Sequence, residues 1–348
     1  MIERHDTLWD IAPEWEALAD AAKAPPFSRP GWIAAWIDAF GRGRTVVLAV
    51  RREDRLVAVV PLLVRRGRIS SPTNSHTPVF DLLALDRDGA SELAEGVMAL
   101  GGRIVGVSFL DPDEEAFAAW RAAVARRRHH AFAWVVARAP YVPLYGEWSD
   151  YQASLNRKFR KELGRLTRRL EDCGRVEFMV DEGSDRWPEL LEEGLRIEGS
   201  GWKDEAGTAI LSQADTARFY REVATWAAGR GWLRLRRDGL TVAFGLVLEA
   251  DGVAHVLKDG FDPTVRRLGP GTVLTGRSLE RAFEQCQLPR AARHRRRLQA
   301  ALDQRDTRAA HAFPPSVVGT VAHLAADRGQ ALYRRARGRA PAERLGVA

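Results

Sequence analysis

Three strand-like runs, "WLRLRRDG", "LTVAFGLVLEADG" and "VAHVLKDGFD", follow one another with no helix between them. They end in a glycine turn, "RRLGPG", that opens the helical stretch "GTVLTGRSLERAFEQ". Parallel neighbours need a crossover of a dozen or more residues, so strands this close in sequence must pair antiparallel. Two helical stretches, "WPELLEEGLRIEGSG" and "TARFYREVATWAAGRG", precede them. That order is α+β and not the regular alternation of a doubly wound sheet.

The rest of the chain fits a second unit of the same class. Helical patterning in "PEWEALADAA" and "RPGWIAAWIDAFG" leads into "TVVLAVRREDRLVAVVPLLVRR", which reads as two strands around a charged turn. "FDLLAL", a helix near "ASELAEGVMALGG", then "RIVGVSFL" and "FAWVVARAPYVPL" continue the mixture. "YGEWSD" reads as a junction, which places one domain at 1–148 and the next at 149–348, with mixed, mostly antiparallel sheets flanked by helices. From Tyr151, "YQASLNRKFRKELGRLTRRLEDCG" reads as one long helix. Leu155, Phe159, Leu163, Leu166 and Leu170 form an apolar stripe on it, and Arg and Lys cover the remainder.

At 348 residues, 45% apolar and 28% charged, the chain has the composition of a folded protein with room for two domains. It contains neither a long uncharged apolar window nor a secretory leader, so a cytoplasmic protein with no membrane span is expected. Cys173 and Cys286 are too few for a disulfide framework or a zinc cluster, and no metal is expected. The net charge of +7 invites a polyanion partner, but Arg290 to Arg308 alone carries +5, leaving +2 for the rest. No nucleic-acid partner is expected from so local an excess.

The turn from Arg266 to Gly271 carries the clearest chemistry. Glycines let backbone approach a ligand, and the unpaired amides of a helix's first turn point at an anion. Helix dipole and amides together favour an anion by about 0.3–1 kcal/mol, and up to ~2 kcal/mol in a sheltered site. Arg266 and Arg267 can add charge-assisted bonds beside Gly269, Gly271 and Thr272. No Lys-Ser/Thr pair follows as in a P-loop, and no parallel sheet opens there as in a dinucleotide fold. A glycine-rich turn without a ligand is the alternative.

Arg-x-x-Gly-x-Gly between a strand and a helix, here Arg266, Gly269 and Gly271, resembles the acyl-CoA pyrophosphate loop of the GNAT acyltransferases. The run from "FYREVATW" to "GPGTVL" is similar to the CelD-like branch, related to FemAB-type proteins with tandem GNAT domains. "FSRPGWIAAWIDAFG" and "LVAVVPLLV" resemble that family's first half. The resemblance implies acetyl-CoA or another acyl-CoA as donor, bound against the last strands of the second domain. It implies N- or O-acyl transfer to a small-molecule or saccharide acceptor of cell-envelope or exopolysaccharide metabolism. Direct attack then needs a base for the nucleophile and an acid for the leaving thiolate. Glu198, Lys258 and Asp262 are the catalytic candidates, and Trp202 and Lys203 the candidates for holding the acceptor. Tyr220 and Trp226 read as core. Two alternatives stay open: a FemAB-like aminoacyltransferase, whose donor would be aminoacyl-tRNA, and a GNAT-fold binding protein without catalysis.

One stretch does not fit. Where the family implies another core strand and then a Tyr-Lys-x-x-Trp segment, the chain reads "RAARHRRRLQAALDQRDTR". Read one base later, codons for Arg290 to Arg308 can spell ELLGTDAAYKLRWTSATRE, with Leu298, Gln299 and Leu302 supplying the tyrosine, lysine and tryptophan. We read it as a displaced frame between two compensating shifts; a solvated basic helix and a nucleic-acid patch are the other readings. Residues 287–310 are therefore expected to be irregular or loosely helical, with binding and catalysis impaired in the chain as written. Resequencing the gene across these codons tests this: a shifted frame is expected, and a clean read of the written frame overturns it.

Overall fold

The computed structural model describes the chain except residues 183–185, 201–206, 208, 227–229, 288–296, 314–342 and 345–348. For 137–140, 182, 226, 230–233, 286–287, 297–313 and 343–344 the backbone alone is described. The chain forms two compact units, one of Met1–Ala139 with Gln304–Ala348 and one of Pro140–Asp303. The second unit is thus an insertion in the first, bounded at 139/140 and 303/304, where the sequence places one junction at 148/149.

In the first unit, β1 (Ile2–His5), β2 (Arg44–Arg52), β3 (Arg55–Arg65) and β4 (Arg68–Ser70) pair antiparallel in that order. β5 (Leu83–Ala84) adds to β3, and β4 then pairs parallel with β6 (Ile104–Leu110). The charged turn expected between β2 and β3 is there, with Glu53 and Asp54 both at positive φ, as the tight hairpin turn that matches strand twist requires. Helices α1 (Ala12–Ala21), α2 (Pro30–Phe40), α3 (Arg87–Ala99) and α4 (Glu115–Arg126) surround this sheet. The apolar faces of α3 and α4 join Val46, Leu48, Val60 and Leu62 of the hairpin in one buried cluster, with Trp120 fully enclosed. β7 (His130–Pro143) follows, and β13 (Glu343–Arg344) pairs with it.

The second unit begins with α5 (Trp148–Ser154) and α6 (Arg157–Asp172). The single helix expected from Tyr151 is interrupted: Leu155 is extended, and the Asn156 side chain accepts from the Lys158 amide at 2.8 Å, capping α6. A cap residue that satisfies an orphan amide starts a helix more strongly than an apolar stripe can carry one through it. The stripe is correspondingly shortened. Leu163, Leu166 and Leu170 are buried, while Phe159 is 45% exposed.

β8 (Val176–Glu182), α7 (Trp187–Glu198) and α8 (Ala214–Trp226) lead to β9 (Arg230–Arg237), β10 (Leu240–Ala250) and β11 (Val253–Phe261). These strands pair antiparallel in the order β8, β9, β10, β11. Asp238-Gly239 and Asp251-Gly252 turn the two tight hairpins, all four at positive φ. α9 (Pro270–Gln287) follows, and β12 (Arg297–Phe313) returns parallel to β11.

β12 corrects the expectation for the arginine-rich text. Residues 288–296 lie outside the described residues, but from Arg297 the backbone is a strand and not irregular or helical. A slot beside a strand is filled through backbone hydrogen bonds, which any side chains can supply. The two units repeat one pattern: an antiparallel run ends in a strand whose other neighbour is parallel and arrives after a helix, β4 with β6 and β11 with β12.

One carboxyl makes the first unit sensitive to pH. Asp81 is pushed up to about 7, first by burial, then by the negative charge of Glu114 and, more weakly, Asp111, against the Leu82 amide that favours the charged form. Between pH ~4 and ~7 the folded chain therefore holds a proton that the unfolded chain has released. This group's contribution is most favourable below pH ~4 and falls as pH rises to about 7. Asp81→Asn should gain on the wild type as pH increases, by on the order of 1 kcal/mol or more at pH 8. Urea unfolding of both proteins at pH 5 and pH 8 checks this, the gap between them widening at the higher pH.

Candidate functional site

β11 fixes the site in the second unit. Its pairing with β10 slips between Leu246 and Val247: Lys258 faces Leu246, Val256 faces Val247, and Leu257 is left as the extra residue of a bulge. A bulge bends its strand and re-aims the groups beside it. On the other edge, β12 pairs with β11 through Val253 and Ala254 only. Among the described residues the ladder between β11 and β12 does not continue from His255 onward, and it stops short of the Leu257 bulge.

The chain leaves β11 through the glycine turn. The Asp262 amide donates to the Val242 carbonyl at 2.9 Å, tying the end of β11 to β10. Asp262 Oδ1 accepts from the Thr264 amide at 2.8 Å and from the Thr264 hydroxyl at 2.7 Å, capping the 3-10 turn Pro263–Leu268. Gly269 then takes φ +65°, and its carbonyl accepts the first α9 bond from Val273 at 3.1 Å. Pro270 has no N–H to offer, so the Gly271 and Thr272 amides are the first-turn donors left without an intrahelical partner. Arg266 and Arg267 are exposed, and their side chains make no hydrogen bond or ion pair among the described residues.

Two glycines are demanded by packing. A Cβ on Gly269 would lie 2.6 Å from a Leu166 methyl of α6, and one on Gly276 would lie 2.9 Å from Leu163. A Cβ on Gly271 would meet the Phe261 ring at 3.2 Å, a contact that a small shift of the ring relieves.

Behind β11, three groups from three elements meet. Glu198, at the end of α7, is 5% exposed, and its Oε2 accepts from the Ile210 amide at 2.8 Å. Tyr220 of α8 is enclosed, and burial, then the charge of Glu198, pushes its phenol upward, so it stays protonated. Lys258 of β11 holds its ammonium 5.4 Å from the centre of the Tyr220 ring, within cation–π range. The structure thus brings Glu198 and Lys258 to one side chain that the sequence reads as core. Asp262 sits with the glycine turn instead, its Oδ1 engaged with Thr264. Trp202 and Lys203 lie outside the described residues. No metal-ligand cluster occurs among the described residues, and no described helix is long and apolar enough to cross a membrane.

Residues 157–290 match the family described as Acetyltransferase (GNAT) domain. The match covers 134 of the chain's 348 residues. A search of curated proteins gives no match to this chain. Among solved structures, FemX superposes with a TM-score of 0.54 at 10% identity, covering 87% of this chain and 89% of its own. The C-terminal domain of a candidate lysylphosphatidylglycerol synthetase from Agrobacterium fabrum reaches 0.56 at 11% identity, covering 98% of each chain. L-PGS from Bacillus licheniformis reaches 0.51 at 12%, covering 85% and 95%. At such identities the likeness is one of fold, and it extends over the whole chain. The architecture is α+β, two GNAT-like units in tandem, consistent with the repeated strand pattern. The matched region holds the bulged strand and the glycine turn; the bulge and the place of Tyr220 were not legible in sequence, because each depends on long-range register.

Gly269→Ala should destabilise the second unit by about 1–2 kcal/mol for the left-handed backbone, with about 1–3 kcal/mol more for crowding Leu166. Gly271→Ala should cost less than half as much. Denaturant midpoints of the two variants against wild type measure the difference.

Proposed function

We propose that the chain is an acyl-CoA-dependent N- or O-acyltransferase, with acetyl-CoA or a longer acyl-CoA as donor. One observation carries the reading: a helix start whose free amides, at Gly271 and Thr272, follow two arginines whose side chains are unpaired among the described residues and a strand, β11, whose parallel ladder ends at Ala254. Oriented amides and exposed guanidinium groups suit the pyrophosphate of CoA, and a strand whose parallel ladder stops at Ala254 suits an extended pantetheine arm beyond it. The re-aimed backbone at Leu257 is where we place polarisation of the thioester carbonyl. The acceptor's nitrogen or oxygen then bonds to the carbonyl carbon, the carbon–sulfur bond breaks, and the acceptor's proton goes to a base while the thiolate is protonated. We assign the base to Glu198 and the positioning of its surroundings to Lys258 and Tyr220, all within one cluster. The CelD-like resemblance favours a cell-envelope or exopolysaccharide acceptor, and acyl-CoA chemistry favours the cytoplasm as its place.

A second reading has aminoacyl-tRNA as donor. It is favoured by α6, whose Arg157, Lys158, Lys161, Arg168 and Arg169 side chains make no hydrogen bond or ion pair among the described residues. Acetyl-CoA at a hundred times its Kd should stabilise the protein by about 2.7 kcal/mol. Replacing both Arg266 and Arg267 by alanine should weaken that binding about tenfold, or ~1.4 kcal/mol. The double arginine variant is a cleaner probe than Gly271→Val, whose side chain would press on Phe261. Thermal shift with acetyl-CoA, longer acyl-CoAs and tRNA checks this. A tRNA response without any CoA response replaces the first reading by the second, and equal CoA affinity in the double variant removes the glycine turn as the donor site.

A further inference from the structure

The first unit, which the GNAT family match does not reach, has a cavity of about 250 Å³ where β4 and β6 part. Its size is the liquid volume of roughly eight waters at ~30 Å³ each, enough for a monosaccharide-sized ligand and too little for a nucleotide. Ser70 pairs with Gly106 as the last residue of the parallel ladder. Beyond it the Ser71 hydroxyl takes over, accepting from the Ser108 amide at 3.0 Å and bonding the Thr73 hydroxyl at 2.9 Å. The strands are thus held apart by side chains, and the cavity lies at the place in the repeat where the β11–β12 ladder stops in the second unit.

Its lining is rich in donors. Arg42 and Arg68 stand at it, no carboxylate does, and the Arg68 side chain makes no ion pair or hydrogen bond among the described residues. Trp36, 5% exposed, forms part of the wall, and its indole Nε1 has no acceptor. A buried donor without a partner has lost hydration that nothing in the protein returns. Phe40 tilts against Trp36 at 5.6 Å and stacks on His76 at 5.7 Å, giving an aromatic wall next to the hydroxyls of Ser70 and Thr73. Aromatic faces take the C–H faces of a ring, hydroxyls take its hydroxyls, and two arginines with an orphan indole N–H take oxyanion oxygens.

We infer that this cavity is a binding site for an acidic monosaccharide, a sugar ring bearing a phosphate or a carboxylate. The inference stands apart from the acyl-donor reading, because its site lies in the other unit and binding is read directly. Calorimetry is carried out on the full chain in the Arg266→Ala/Arg267→Ala background, so that the donor-site cations do not contribute. The probes are glucose 6-phosphate, glucuronate and glucose. One acidic sugar should bind and glucose should bind at least tenfold more weakly; which acid binds identifies the oxyanion. Adding Arg68→Gln should weaken that binding tenfold or more. Adding Trp36→Phe should weaken it severalfold while leaving the melting temperature unchanged or higher, since it removes an unpaired donor. No binding of either acidic sugar at millimolar concentration overturns the inference, as does binding that both substitutions leave intact.

Discussion

Leu166 occupies the space that a side chain on Gly269 would need, and much of the second unit's geometry follows from that contact. With Leu163 against Gly276, it seats α6 on α9 at close range. The approach fixes the line of α9, and the left-handed Gly269 sets where its first turn begins. Asp262 anchors the other side, its amide on β10 and its carboxylate on Thr264. The amides of Gly271 and Thr272 are thereby held at the end of β11 by packing and capping, before any ligand contributes. Amides held this way have their orientation in place in advance, which would lower the ordering cost for any anion that met them.

The sequence displayed this part of the fold because it is local. Strand, cap, glycine turn and helix lie within a single run, and each has a residue whose backbone preference names it. Long-range pairing is another matter. The bulge at Leu257 exists only because Val256 and Lys258 find successive partners on β10, and no spacing within β11 announces it. Tyr220 looks like core on its own helix and is core by burial; only the approach of Lys258 and Glu198 gives its phenol a chemical setting. The break at Leu155 and Asn156 was legible in principle, since asparagine before a charged first turn is a cap signal. The apolar period ran across it and concealed it.

Helix α6 shows how packing overrides local electrostatics. Arg157, Lys158, Arg160 and Lys161 crowd its N-terminus, and its first turn carries no acidic residue, so the charges oppose the helix dipole. The Asn156 cap and the buried Leu163, Leu166 and Leu170 offset that cost. Glu162 is held below the usual carboxylate range first by its bond to Arg165 and then by the surrounding cations, Lys158 and Arg169 among them. A helix formed against its own dipole presents a basic face whose charge is fixed by the core behind it, and an anion reaching its N-terminus would relieve both the cations and the dipole together.

The arginine-rich text poses the same contest in the sheet. Side-chain preference argues against a strand there, since neighbouring arginines repel and gain little from burial. The backbone argument runs the other way, because β11 offers an edge at Val253 and Ala254 whose groups need partners. The strand wins from Arg297 onward. Its parallel ladder with β11 is confined to two residues at one end. Beyond them no pairing between β11 and β12 continues among the described residues, so the strand that the side chains oppose is also the one whose ladder stops short of the Leu257 bulge.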